Sequence, residues 1–173
     1  SEPAKTLGAI IVMGVSGCGK SSVGSGLVHH LGCAFIEGDD LHPQCNVAKM
    51  SRGVALDDAD RWPWLDVLGE RIAGHAGNTV VLSCSALRRA YRDRLRRFAR
   101  GPITFVFLQG SRAALQARLE QRLGHYMPAQ LLDSQLATLE PPTGEPDVIT
   151  IDIDRSIESV VTTVLATLAS RSS

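Results

Sequence analysis

The chain has 173 residues, 44% hydrophobic and 21% charged, and its lysines plus arginines match its aspartates plus glutamates at 18 each. That length suits one domain (1–173) burying roughly two-thirds of its unfolded surface. The neutral balance supplies no overall field to attract nucleic acid or an anionic membrane, and no apolar run approaches the ~20 residues that span a bilayer.

Lys5 and the following LGAIIVMGV look faintly like a secretory leader. The apolar run flows straight into a glycine loop instead of a small-residue cleavage site, so it is expected to be a buried first strand, Leu7–Met13. Further strands are expected at Ala34–Glu37, Thr79–Ser83, Ile103–Leu108 and Val148–Asp152. Their non-alternating Ile/Val-rich character is that of strands covered on both faces. Helices are expected near Lys20–Leu31, Pro43–Arg52, Asp58–His75, Leu87–Arg100, Arg112–Arg122, Pro128–Leu139 and Ile157–Leu168. Strands and helices in alternation imply right-handed crossovers and a parallel sheet flanked by helices. EPPTGEPD (140–147) reads as a stiff surface loop, and no repeat or linker divides the chain. Cys18, Cys33, Cys45 and Cys84 form no CxxC pair. They read as reduced thiols of a cytoplasmic protein, with no disulfide frame and no zinc site.

Between the first strand and the first helix stands Gly14-Val15-Ser16-Gly17-Cys18-Gly19-Lys20-Ser21, followed by Ser22. It matches G-x-x-x-x-G-K-[ST] in the strand–loop–helix context that a phosphate loop requires. Its glycines let successive N–H groups point at phosphate oxygens, and the helix N-terminus faces the same anion. Lys20 is expected at the β- and γ-phosphates and the Ser21 hydroxyl on Mg²⁺, which makes ATP the expected nucleotide. Cys18 is expected to be a small filler of the loop. An N-K-x-D guanine motif is missing from the sequence, which argues against a GTPase.

A small-molecule kinase needs an acceptor pocket, an arginine-bearing lid and a carboxylate near the transferred group. FIEGDDLHP (35–43) puts Asp39 at the carboxyl end of the second strand, where ligands collect in open α/β sheets. Asp39 can take the proton of an attacking hydroxyl or help hold Mg²⁺, or it can serve an Asx turn or a helix cap. Asp40 is the better cap candidate. RLEQRLGHYM (118–127) sets Arg118 and Arg122 on one helix face beside Gly124, as a lid that could close over phosphates. VVLSCSALRR (80–89) has Ser and Cys where a metal-holding carboxylate often closes the third strand, so Asp39 is expected to serve the metal alone. Ser85 and the backbone near Ala86 are expected to open a helix and contact an acceptor.

The blocks MGVSGCGKSSV, GDDLHP, VALDDADRWPWL, CSALRRAYRDRLR, RLEQRLGHYM and TLEPP resemble, in order and spacing, the gluconate kinases (gluconokinases) of the shikimate-kinase-like P-loop group. The resemblance implies an α/β P-loop kinase fold, a five-stranded parallel sheet with helices on both faces and a small lid (about 118–130), with an acceptor segment at about 39–65. It further implies ATP-dependent phosphorylation of D-gluconate at its primary hydroxyl, Mg²⁺ as cofactor, and a homodimer.

An acidic polyol requires a cation for its carboxylate and polar partners for its hydroxyls. Arg61 and Arg88 are the expected cations, with Lys49 a further candidate; His42, His125 and Gln135 are candidate partners. Arg61 could instead pair with Asp57 or Asp58. Arg88 could belong with Arg89, Arg92, Arg94, Arg96, Arg97 and Arg100 to a solvated basic face. Trp62 and Trp64 read as packing anchors. The family often carries lysine where Arg88-Arg89 stand here, a change that a point-charge role survives. The alternatives are a kinase of another small acceptor such as shikimate, or a nucleotide-dependent nucleic-acid-binding protein using the arginine helix.

Overall fold

The computed structural model describes residues 7–121 and 129–171. The elements run β1 (Ala9–Met13), α1 (Lys20–Leu31), β2 (Ala34–Glu37), a 3₁₀ turn (Gly38–Leu41), α2 (Gln44–Ser51), α3 (Asp58–Gly74), β3 (Val80–Ser83), α4 (Arg89–Phe98), β4 (Ile103–Gln109), α5 (Arg112–Gln121), α6 (Ala129–Thr138), β5 (Val148–Asp152) and α7 (Ile157–Arg171). The strands form one five-stranded sheet in the order β2-β3-β1-β4-β5, and every pairing is parallel. The α/β fold, with its parallel sheet and flanking helices, is therefore as expected. Arg122, Gly124 and His125, expected in the lid, lie outside the described residues.

β1 is fully buried because each of its faces meets a different helical layer. Ile10 and Val12 pack with Val23 and Leu27 of α1 and Val160 and Val164 of α7. Ala9, Ile11 and Met13 face the other way, onto Leu65 and Leu68 of α3 and Tyr91 and Leu95 of α4. An uninterrupted apolar run is what two buried faces demand of a central strand. β1 therefore carries the phosphate loop out from the middle of the sheet.

α3 starts at a reciprocal cap. Asp57 accepts from the Asp60 N–H at 2.8 Å, and the Asp60 carboxylate accepts from the Asp57 N–H at 3.0 Å, satisfying two orphan donors at once. Asp40, by contrast, caps nothing among the described contacts. It sits exposed in the 3₁₀ turn, and α2 begins after Pro43 without a side-chain cap.

The arginine-rich helix differs most from expectation. α4 begins at Arg89, because the chain at 84–88 is a turn in which Ala86 takes a left-handed conformation (φ 45°). Only part of the arginine run is a solvated basic face: Arg88, Arg89, Arg97 and Arg100 are exposed, whereas Arg92, Arg94 and Arg96 are engaged by carboxylates. Arg92 is completely buried; it donates to both Glu145 oxygens at 3.0 and 2.8 Å and to the carbonyls of Ala86 and Glu140. Arg96 donates to Asp93, Glu145 and Asp147, and Arg94 grips Asp66 in a bidentate pair. A planar fork of donors suits arginine to such sites better than lysine. These pairs fasten α4 to the 140–147 loop and to α3 and, through Ala86, brace the turn beside the phosphate loop.

Burial alone would push the Glu145 carboxyl up, but the hydrogen bonds from Arg92 and Arg96 outweigh it and hold it below its ordinary value. A lowered folded value means that this contribution is complete above the unfolded-state value and disappears as pH falls through the folded one. Arg92→Ala, which strands the Glu145 charge, should cost about 3–5 kcal/mol in urea unfolding at neutral pH. In Glu145→Gln the loss of stability on acidification below the ordinary carboxylate range should be shallower than in the parent chain.

Candidate active site

The phosphate loop needs backbone conformations that side chains resist. Gly14, Gly17 and Gly19 have φ values of 144°, 88° and 95°, and Gly19 is the residue from which α1 departs. Around them Val15 and Cys18 are buried, whereas Ser16, Lys20 and Ser21 are half-buried and Ser22 exposed. Cys18 fills the loop as expected, its sulfur lying 2.8 Å from where a Cβ on Gly14 would stand. The Lys20 ammonium folds back over its own loop, donating to the Gly14 carbonyl at 2.9 Å and the Val15 carbonyl at 3.2 Å. Gln135 of α6 reaches the loop from outside. Its amide oxygen accepts from the Ser16 N–H at 2.7 Å, and its nitrogen donates to the Ser16 hydroxyl at 2.9 Å.

Beside the loop lies a cleft of about 320 Å³ whose lining includes Ser16, Lys20, Asp39, His42, Arg61, Ser85 and Gln135. Phosphate-loop and acceptor-segment candidates thus share one cavity. Met50 and Val54, apolar and exposed, form part of its rim. Asp39 sits on the 3₁₀ turn directly after β2, exposed and open to the cleft.

The carboxylate that sequence reading missed is Glu37, the last residue of β2. One of its oxygens accepts from the Ser21 hydroxyl at 2.7 Å and the other from the Ser83 hydroxyl at 2.5 Å. Asp39 is therefore not the sole carboxylate available to a metal. A carboxylate at the end of β2 supplies what Ser83 and Cys84 at the end of β3 lack, because β2 lies next to β3. The E-G-D spacing in FIEGDDLHP was the available signal. Burial pushes the Cys84 thiol up to about 12, leaving it a neutral filler at the strand end.

The acceptor side is held by packing. Trp64 is buried, donates from Nε1 to the Gly38 carbonyl at 2.8 Å and stacks on His42 with ring centroids 4.0 Å apart. Arg61 donates from Nη1 to the Tyr91 hydroxyl at 2.9 Å and lies 3.9 Å from Asp58, while the Tyr91 hydroxyl donates to Asp58. Arg61 thus both reaches the cleft and makes the Asp58 pairing considered from sequence. Two expected cations point elsewhere. Lys49 is engaged by Asp60 at 2.8 Å, and Arg88 stands 3.8 Å from Asp58 with its side chain largely exposed; neither lines the cleft. Arg118, at the end of α5, donates to the Ile153 and Arg155 carbonyls, its guanidinium 3.6 Å from where a Cβ on Gly19 would stand.

Ser85 opens no helix; it stands in the turn before α4, where its carbonyl accepts from the Gly14 N–H at 3.2 Å. Gly38 is where the acceptor segment comes closest to the sheet: a Cβ there would meet the Ser83 carbonyl oxygen at 2.1 Å. Gly38→Ala should therefore cost about 1–3 kcal/mol in urea unfolding. Gly74→Ala, where nothing lies within 4 Å, should be neutral or slightly stabilising in the same measurement.

Comparison with known proteins follows the same lines. The AAA domain family matches residues 10–142. The gluconokinase of Gluconobacter oxydans (strain 621H) is 49% identical over 156 residues, covering 88% of this chain and 86% of its own length. The thermoresistant gluconokinase of Escherichia coli (strain K12) is 42% identical, with 90% of each chain covered. The crystal structure of a gluconokinase from Sinorhizobium meliloti 1021 superposes with a TM-score of 0.89 at 51% identity, covering 95% of this chain and 94% of that one. With such identity over most of its length, this chain belongs to the gluconokinase family.

Proposed function

We propose that the chain transfers the γ-phosphoryl group of ATP to the primary hydroxyl of D-gluconate, giving 6-phospho-D-gluconate and ADP. The observation that carries this reading is the single cleft in which Ser16 and Lys20 of the phosphate loop meet Asp39, His42 and Arg61 of the acceptor segment. One such cavity can align donor and acceptor for direct transfer.

The phosphate-loop N–H groups and Lys20 hold the β- and γ-phosphates. Lys20 must leave the Gly14 and Val15 carbonyls to do so. Asp39 orients the primary hydroxyl and accepts its proton as its oxygen bonds to phosphorus and the bond to the β-phosphate oxygen breaks. Arg61 receives the gluconate carboxylate, and His42, Ser85 and Gln135 meet its hydroxyls. Arg118 flanks the phosphates from α5, and Arg122 and His125 belong to the same proposal as lid residues. Lys49 and Arg88 act at a distance, through Asp60 and Asp58.

The donor set near Ser21 suits Mg²⁺, a hard cation that keeps several waters and takes oxygen ligands. A hydroxyl and a carboxylate meet at 2.7 Å there, with Asp39 two residues further on. Ser21 and Glu37, with Asp39, would hold the ion directly or through water. Bound with ATP, it supplies charge neutralisation at the β- and γ-phosphate oxygens.

The same reading makes the chain one catalytic domain, a cytoplasmic homodimer acting on a small molecule. The engagement of Arg92, Arg94 and Arg96 by carboxylates weighs against nucleic acid as a partner of α4. No helix among the described residues is long and apolar enough to cross a membrane. Shikimate as the acceptor is disfavoured by relatives of 42–49% identity that are gluconokinases.

A coupled ADP-release assay across gluconate, other sugar acids, neutral polyols, shikimate and nucleoside monophosphates tests the proposal. Gluconate should be the preferred acceptor; turnover of shikimate or a nucleotide without gluconate would overturn it. Asp39→Asn should lower kcat by about 10²–10⁴ while ATP affinity, measured by calorimetry, stays near that of the parent. Tyr91→Phe frees Arg61 from its hydroxyl partner, so KM for gluconate should rise about five- to tenfold with little change in kcat.

A further inference from the structure

The polar environment of His42 determines which of its nitrogens carries the proton. Asn46, one turn along on α2, is completely buried. Its amide nitrogen lies 2.9 Å from the Asp60 backbone carbonyl and 3.1 Å from His42 Nδ1. A backbone carbonyl can only accept, so the amide face turned toward it must be the NH₂ group. The second hydrogen of that NH₂ then points at His42 Nδ1, which must accept it and so carries no proton. The neutral ring therefore bears its hydrogen on Nε2. The ring has little freedom to escape this arrangement, because one face is stacked on Trp64 at an interplanar angle of 15°.

His42 lines the acceptor cleft, and among the described contacts Nε2 has no protein partner. The charged groups acting on the ring are Asp39 on the 3₁₀ turn and Arg61 on α3. Burial pushes His42 down, Asp39 pulls it up and Arg61 pushes it down, for a net fall below its ordinary value. That direction agrees with a ring whose Nδ1 meets an N–H.

We propose that Asn46 is a positioning residue that locks His42 as the neutral Nε2–H tautomer, making it a fixed hydrogen-bond donor to an acceptor oxygen and removing it as a general base. The proposal deepens the reading of this cleft as the gluconate pocket and rests on that reading for the identity of the oxygen. It leaves Asp39 to take the hydroxyl proton, because an Nε2 that already holds hydrogen has no lone pair to offer. It also asks for an acceptor oxygen at His42, a gluconate hydroxyl or carboxylate oxygen.

Nitrogen-15 spectra of the histidine rings of the full chain at neutral pH test the tautomer without any substitution, and His42→Gln identifies the His42 signals among the five histidines. The expected result is a pyrrole-type Nε2 and a pyridine-type Nδ1. A pyrrole-type Nδ1, or an imidazolium, overturns the proposal.

Kinetics supply the functional arm. His42→Gln, whose amide can donate from the Nε2 position, should raise KM for gluconate only about two- to threefold. His42→Asn, which reproduces only the Nδ1 position, should raise it about tenfold. The reverse order overturns the donor role. Asn46→Ala should raise KM for gluconate with kcat largely retained, and its His42 should lose the strict Nε2–H signature. An unchanged signature in a folded Asn46→Ala chain removes Asn46 from the proposal. If the parent shows the Nε2–H tautomer but phosphorylates another acceptor, the gluconate reading fails while the tautomer assignment stands.

Discussion

The carboxylate of Glu37, shared between the hydroxyls of Ser21 and Ser83, is the interaction on which the arrangement of this site depends. Ser21 stands in the first turn of α1, Ser83 ends β3, and Glu37 ends β2, so one side chain joins the amino end of α1 to the carboxyl ends of β2 and β3. Parallel strands make this possible, because all their carboxyl ends lie on the same side of the sheet. Gly38 extends the join into the backbone. Its N–H faces the Ser83 hydroxyl at 3.3 Å and its carbonyl takes the Trp64 indole N–H. The donor loop and the acceptor segment are therefore braced against the same point.

A second brace lies under the turn at 84–88. Arg92 satisfies the Ala86 carbonyl from below, and the Ser85 carbonyl accepts the first N–H of the phosphate loop. A completely buried guanidinium is costly to desolvate unless its fork is fully engaged. Here Glu145 and two backbone carbonyls engage it, so Arg92 contributes to a structural charge network. Gln135 adds a third hold from α6, at Ser16.

The acceptor wall follows a consistent physical pattern. Arg61, His42 and Trp64 each have a partner that sets their orientation before any ligand arrives: the Tyr91 hydroxyl, the Asn46 amide and the Gly38 carbonyl. Side chains already fixed lose less conformational entropy on binding, which favours recognition of a small polar acceptor with many rotatable bonds. Arg61 stays available because its direct carboxylate neighbour Asp58 is 3.9 Å away and the closer contact is a neutral hydroxyl. Lys49 is the contrasting case: a close pair with Asp60 ties its ammonium to the start of α3.

The residues of the chain, taken alone, determined the alternation of strands and helices, the phosphate loop with Lys20 and Ser21, and the place of Asp39 directly after β2. These signals are local. An apolar run, a glycine spacing or a strand end reports on its own few residues. β2 and β5 and the helix from Lys20 were legible to the residue, whereas α4 was drawn too long because nothing in LRRAYRDRLR signals the left-handed turn at Ala86. What only the tertiary structure decided is which charges remain free. Arg92 and Arg88 look alike in sequence, yet one is buried against Glu145 from 53 positions away and the other is exposed. Glu37 likewise becomes a site residue only because β2 pairs with β3 and brings it to Ser83 and Ser21. Charge pairing and desolvation act between groups remote in the chain, so a residue's type gives its chemistry, but its neighbours in space decide whether that chemistry is available.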